Sequence, residues 1–192
     1  MNSAEDRATI RQIISKAQVC GLQNNPAVDD LSRSLIRIAD QEKRMLTDVE
    51  IISICSHAST NPTAISSTIR NAAHYVDRCK QTLVTEQPQL FQEGGALHPV
   101  ERSEACWRDC WNFLRVASYA MAVGTPQCTD TAGIRFVRQL YELMNVPVSG
   151  MNLALSALSQ MITRDLRRQN HQAEAECIAM AFTEMRRALY KD

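Results

Sequence analysis

The run Cys106-Trp107-Arg108-Asp109 sets a thiol, a guanidinium and a carboxylate within four residues. On a helix of about 3.6 residues per turn, Cys106 and Asp109 share a face and Arg108 is angled to one side. Ala105, Phe113 and Leu114 surround them with apolar surface. An aspartate on a helix that packs into a core needs partners, because an unpaired buried carboxylate is very costly. On pattern alone the plainer reading has Arg108 or another arginine pairing Asp109 and Cys106 as a small core residue, since free cysteine is usually just buried.

The other candidate groups carry less. His57, His74, His98 and His171 stand far apart without metal-ligand spacing; a haem ligand among them stays open. Serine, histidine and aspartate are present without a G-x-S-x-G turn, and no Walker or Rossmann glycine pattern occurs. Trp107 and Trp111, four residues apart, read as core packing. Arg164, Arg167 and Arg168 read as a solvated helix face near a C-terminus, where cations suit the helix dipole.

Composition narrows the class further. Lys plus Arg and Asp plus Glu both number 21, so the formal net charge is zero and no global field attracts nucleic acid. Seven cysteines (Cys20, Cys55, Cys79, Cys106, Cys110, Cys128 and Cys177), an odd number without C-x-x-C, point to reduced thiols in a cytoplasmic compartment. Met1 to Lys16 is charged throughout and unlike a signal peptide, and no apolar run reaches the ~20 residues of a membrane span. The 192 residues, 45% of them apolar, suit one soluble domain.

The elements that must position these residues read as helices. Ser3 with Asp6 and Thr47 with Glu50 resemble capping boxes, and Asn61-Pro62 a cap followed by first-turn proline. Apolar residues at helical spacing predict helices after Ser3, from Asp29 or Asp30, and after Thr47. One long helix is predicted from Asn61 to about Thr85, and another from Ser103 to Met121. Three more are predicted over about Thr131–Met144, after Ser149, and over about Gln172–Tyr190. The segment from Gln87 to Val100, with Pro88, Gly94, Gly95 and Pro99, is the longest non-helical stretch. No alternating strand pattern appears. The expectation is all-α: a globin-like helical bundle able to build a cofactor pocket between helices.

The central segment resembles the phycobiliproteins, the bilin-carrying light-harvesting subunits. The matching residues run in order: Glu86-Gln87-Pro88-Gln89-Leu90, Gly94-Gly95, then Cys106-Trp107-Arg108-Asp109 in the family's C-x-R-D pattern, then Phe113-Leu114-Arg115. Ser118-Tyr119-Ala120, Ala122-Val123-Gly124, Val137-Arg138-Gln139-Leu140-Tyr141, Val146-Pro147-Val148 and Gly150-Met151 continue the series, closest to allophycocyanin-type subunits. The match covers about Asn71 to Met161.

The resemblance implies a phycobiliprotein-like domain over 1–192, with N-terminal oligomerisation helices over 1–60 and a globin-like core over 61–192. It implies that Cys106 forms a thioether to one linear tetrapyrrole (a bilin of phycocyanobilin type) and that Asp109 accepts its central pyrrole N–H groups. Arg108 would pair one propionate and Arg102 the other, and Tyr119 and Tyr141 would line the pocket. It further implies a non-enzymatic role in light harvesting, a homo- or hetero-oligomer with a related subunit, and contact with linker proteins and a bilin lyase. The place implied is cytoplasmic or plastid-stromal, peripheral at the thylakoid membrane. Nucleic acid and a transmembrane segment are not expected.

Some residues depart from the family pattern. Ala96 stands at a commonly methylated asparagine, His98 replaces a tyrosine and is followed by Pro99, and Glu101 puts an anion where an arginine is usual. These departures favour an alternative reading, a relative with lost or reduced pigment binding that acts as an assembly or protein-binding module.

Overall fold

Helix caps written in the sequence set many of the element boundaries. The computed structural model describes residues 4–190, which leaves the expected cap at Ser3 outside the described residues. The helices are α1 (Ala4–Lys16), α2 (Asp30–Gln41), α3 (Asp48–Ala58), α4 (Pro62–Arg70), α5 (Ala72–Glu86), α6 (Val100–Ala122), α7 (Thr131–Leu143), α8 (Val148–Arg168) and α9 (Gln172–Tyr190). Asp29 caps α2 by accepting from Ser32 N at 2.9 Å. Thr47 and Glu50 form the reciprocal box that opens α3. Asn61 caps α4 with Pro62 in its first turn.

Two boundaries differ from the sequence expectation. The single helix expected from Asn61 to Thr85 is two, broken at Asn71, whose side-chain amide donates to Ser67 O at 2.9 Å. A side chain that bonds its own backbone in this way competes with helix continuation. The helix expected from Ser103 begins instead at Val100, directly after Pro99, and Ser103 Oγ bonds back to Val100 O at 2.7 Å.

α6 is the central element. All ten residues from Phe113 to Ala122 are buried, as expected of a helix enclosed on every side. α4, α5, α8 and α9 pack against it; α9 also lies along α8, and α5 packs on α8. α2 and α3 pack on each other, and α3 touches α6. The N-terminal segment is tied in separately. α1 packs on α7, and Cys20 forms an isolated antiparallel bridge with Thr129. Gly21 N bonds Cys128 O at 2.7 Å and Asp130 N bonds Val19 O at 2.9 Å. Among the described residues there is no β-strand, and no helix is long and apolar enough to cross a membrane.

Candidate functional site

Arg102, Ala105, Cys106 and Asp109 follow one another at the i, i+3, i+4, i+7 spacing that makes one face of a helix. On α6 that face forms one wall of a cleft. The opposite wall is Ala96 and Leu97 from the loop before α6, with Met144, Val146 and Pro147 from the turn between α7 and α8.

The loop is held in shape by its own contacts. Leu97 N bonds Leu90 O at 2.8 Å and Gly95 N bonds Gln92 O at 2.8 Å. Phe91 stacks on Trp107 of α6 at 6.0 Å and 17°. A side chain at Gly95 would meet Gln89 O at 2.4 Å and Leu90 O at 2.5 Å, so the close approach of loop to loop requires glycine.

Cys106 is buried at the cleft, only 4% exposed. Behind it lies Cys110, whose thiol is held well above its usual range by the neighbouring Cys106 and Cys79 thiols and by burial. Cys79 in turn donates to Ala154 O at 3.4 Å. All seven cysteines are reduced and buried.

Asp109 Oδ2 accepts from the Tyr141 hydroxyl at 2.8 Å. Burial pushes the carboxyl up to about 6, against the opposing pull of the Tyr141 bond and of the Arg108 charge. Tyr141 itself is raised by burial and by the neighbouring carboxylate. Arg108 is exposed, to one side of the cleft face.

Arg102 is engaged on three backbone carbonyls. Its Nε donates to Ala96 O at 2.6 Å, and its Nη2 to Met144 O at 2.6 Å and Asn145 O at 3.0 Å. The guanidinium thus ties both segments of the far wall to α6.

Tyr119 stands apart from the cleft, contrary to the expectation that it lines the same pocket. It is fully buried, and the thirteen residues from Cys106 carry it about 20 Å along the helix. Its hydroxyl accepts from Arg115 Nη1 at 2.9 Å and donates to Arg44 O. The same Arg115 nitrogen pairs Asp40 of α2 at 2.8 Å. These residues form a structural network joining α2 to α6. The structure therefore brings together Cys106, Asp109, Arg102 and Tyr141, with Arg108 at the rim.

Sequence reasoning missed Met144, Val146 and Pro147 as cleft wall, and Tyr190, whose buried hydroxyl lacks a partner and is raised by burial and by Cys106 and Cys110 nearby. Met144 and Tyr190 carry no mark in the local sequence pattern, and Val146 and Pro147 stand in the ordered series without any sign of which wall they form, because long-range packing delivers all four to the site.

The donor set suits a linear tetrapyrrole in chemistry: a thiol for a covalent bond, a carboxylate for N–H groups and guanidinia for acidic side chains. In volume the cleft is small, about 70 Å³, against ~300–1,000 Å³ for ordinary ligand pockets.

Residues 34–189 match the sequence profile of the family described as phycobilisome protein. The chain is 34% identical over 90 residues to the C-phycocyanin beta chain of Aglaothamnion neglectum, covering 47% of this chain and 52% of that one. It is 26% identical over 132 residues to the R-phycocyanin beta chain of Polysiphonia urceolata, covering 67% and 77%. With the first of these, as with the C-phycocyanin beta chain of Pyropia haitanensis (52%), the match spans about half the relative's length. Among solved structures, a far-red fluorescent biliprotein derived from an allophycocyanin F subunit of Chroococcidiopsis thermalis superposes with a TM-score of 0.59 at 19% identity. That superposition covers 76% of this chain and all of the other. The all-α, globin-like fold is shared.

Proposed function

The chain belongs to the phycobilisome protein family, and on that premise we propose that it is a light-harvesting subunit holding one linear tetrapyrrole through a thioether to Cys106. The observation that carries this reading is the convergence of Cys106, Asp109 and Arg102 on one face of α6 and into one cleft. A bilin bound there supplies the absorption and transfer of visible excitation.

The chain's own residues have separate tasks. Cys106 would supply the anchoring sulfur, its S–H adding across a carbon–carbon double bond of the pigment so that the hydrogen goes to the adjacent carbon and no group leaves. Asp109 presents its second oxygen to N–H donors while Tyr141 fixes the first. Arg102 and Arg108 offer cations to carboxylates from above and beside the cleft. Phe91 on Trp107 stiffens the wall, and rigidity around a pigment takes the place of turnover.

Residues 1–60 serve oligomerisation with a related subunit in this reading. Support comes from the exposed apolar side chains Ile14, Leu31, Ile38, Val49 and Ile52. Linker proteins and a bilin lyase are the further partners, in cytoplasm or plastid stroma at the thylakoid surface.

Two observations favour a second reading, a pigment-free assembly subunit. The cleft is small, and Arg102 is engaged on carbonyls rather than free for a ligand.

Co-expression with bilin synthesis and a lyase separates the two. Absorbance of the acid-denatured protein and zinc-stained gel fluorescence are expected to show covalent pigment in wild type and Cys110→Ala and none in Cys106→Ala. Pigment retained in Cys106→Ala overturns the site. A folded, colourless wild type moves the function to assembly.

A further inference from the structure

We propose that Arg102 is a latch that keeps the Cys106 cleft closed, and that a ligand carboxylate opens the cleft by taking over the guanidinium. The ligand half of this statement rests on the tetrapyrrole reading above; the latch itself does not.

The geometry starts from Arg102's three acceptors. Ala96 O belongs to the loop before α6, and Met144 O and Asn145 O to the turn after α7. One side chain therefore spans the cleft mouth and joins both halves of its far wall to α6. The turn it holds has little else covering its outer side: Leu143, Met144 and Val148 are exposed, and Asn145 takes a left-handed backbone conformation at φ 49°.

Volume supplies the second argument. Immediately beyond the turn lies a groove of about 580 Å³ lined by Tyr141, Asn145, Val146, Leu189 and Tyr190. Val146 lines both this groove and the Cys106 cleft of about 70 Å³. Moving residues 144–147 outward joins the two spaces, and the groove alone already lies within the range of ordinary ligand pockets. The closed cleft admits a thiol reagent of a few atoms; the opened one admits an extended molecule that reaches from Cys106 past Asp109 to Tyr190.

The chemistry supplies the trigger. Carbonyl oxygens hold Arg102 as neutral acceptors, whereas a carboxylate brings an opposite full charge and two parallel acceptor sites to the planar fork. A ligand carrying carboxylates thus binds Arg102 and releases the turn in one exchange. An apolar ligand of the same size has no such means of entry.

The test uses the pigment-free full chain, so a failed latch and a failed pigment assignment remain distinct. Cys106 alkylation is followed by mass spectrometry with iodoacetamide, which is small, and with a fluorescein maleimide, which is bulky. In Arg102→Ala the bulky reagent is expected to modify Cys106 about tenfold faster or more than in wild type, the scale set by losing charged hydrogen bonds. The small reagent changes far less, and Cys20, Cys55 and Cys128 stay protected. Equal Cys106 rates in the two proteins overturn the latch. If all seven thiols react together in Arg102→Ala, the decision passes to Arg102→Lys, which keeps the charge and loses the fork. A selective rise at Cys106 there supports the latch, and its absence overturns it.

Discussion

The Tyr141 hydroxyl and the Asp109 carboxylate meet at 2.8 Å, which pins the last turns of α7 to the cleft face of α6. Because burial raises the Asp109 carboxyl from 3.8 to about 6, the folded protein binds this proton more tightly than the unfolded chain does. The stability that this group contributes is therefore full below about pH 4 and is lost as pH rises through about 6, by up to ~3 kcal/mol. Asp109→Asn is expected to flatten that slope and to be more stable than wild type at pH 7, measured by urea unfolding across the range. Tyr141→Phe removes a bond that lowers the Asp109 pKa and moves the midpoint upward, readable by carboxyl NMR.

Arg115 joins Asp40 and Tyr119 with almost no exposure of any partner. Arg115→Ala leaves Asp40 buried with its main partner gone, an arrangement that costs about 3–5 kcal/mol. Tyr119→Phe removes only the hydroxyl and is expected to cost about 1–3 kcal/mol. Equal losses in the two variants would mean that the charge pair is not the stronger part of the network.

Gly95 sits against the backbone of Gln89 and Leu90. Gly95→Ala forces that loop apart, with an expected loss of about 1–3 kcal/mol and weakened protection of the Leu97 amide, which bonds Leu90 O. Hydrogen exchange at Leu97 reads the local effect separately from global unfolding.

Arg44 grips Glu50 with bonds of 2.7 and 2.8 Å, and Glu50 also accepts from Thr47 N at 2.8 Å. The Arg44 bond leads in holding the Glu50 carboxyl down at about 2, below its usual 4.5. Its stabilisation is full above about pH 4.5 and is lost as pH falls toward 2. Glu50→Gln is expected to cost about 1–2 kcal/mol at pH 7 and nearly nothing at pH 2, by thermal unfolding at the two pH values.

The sequence made much of this legible where local chemistry decides. Asp29, Thr47 and Asn61 cap helices because their side chains reach the first free N–H groups, a matter of two or three residues. Cys106 and Asp109 share a face because the helical repeat requires it. What local chemistry does not decide stayed hidden. Asn71 looks helix-compatible until its amide turns back on Ser67. Tyr119 is part of an ordered series of motif residues, yet its distance along α6 places it with Arg44, whose carbonyl accepts its hydroxyl from 75 residues away in sequence. Arg102 reads as a cation awaiting an anion, and only the fold reveals the carbonyls around it.

The segment from Val19 to Gly21 has a consequence for how this chain can be cut. The family profile begins at residue 34, which invites a trimmed version starting there. Yet Cys20 and Leu22 are fully buried, and Val19 and Gly21 supply backbone partners to the residues that lead into α7. A truncation at residue 34 would unroof Cys128 and leave those strand-like carbonyl and amide groups facing solvent. The boundary at which sequence kinship fades is thus not a seam in the molecule, and expression fragments or fusion junctions belong outside it.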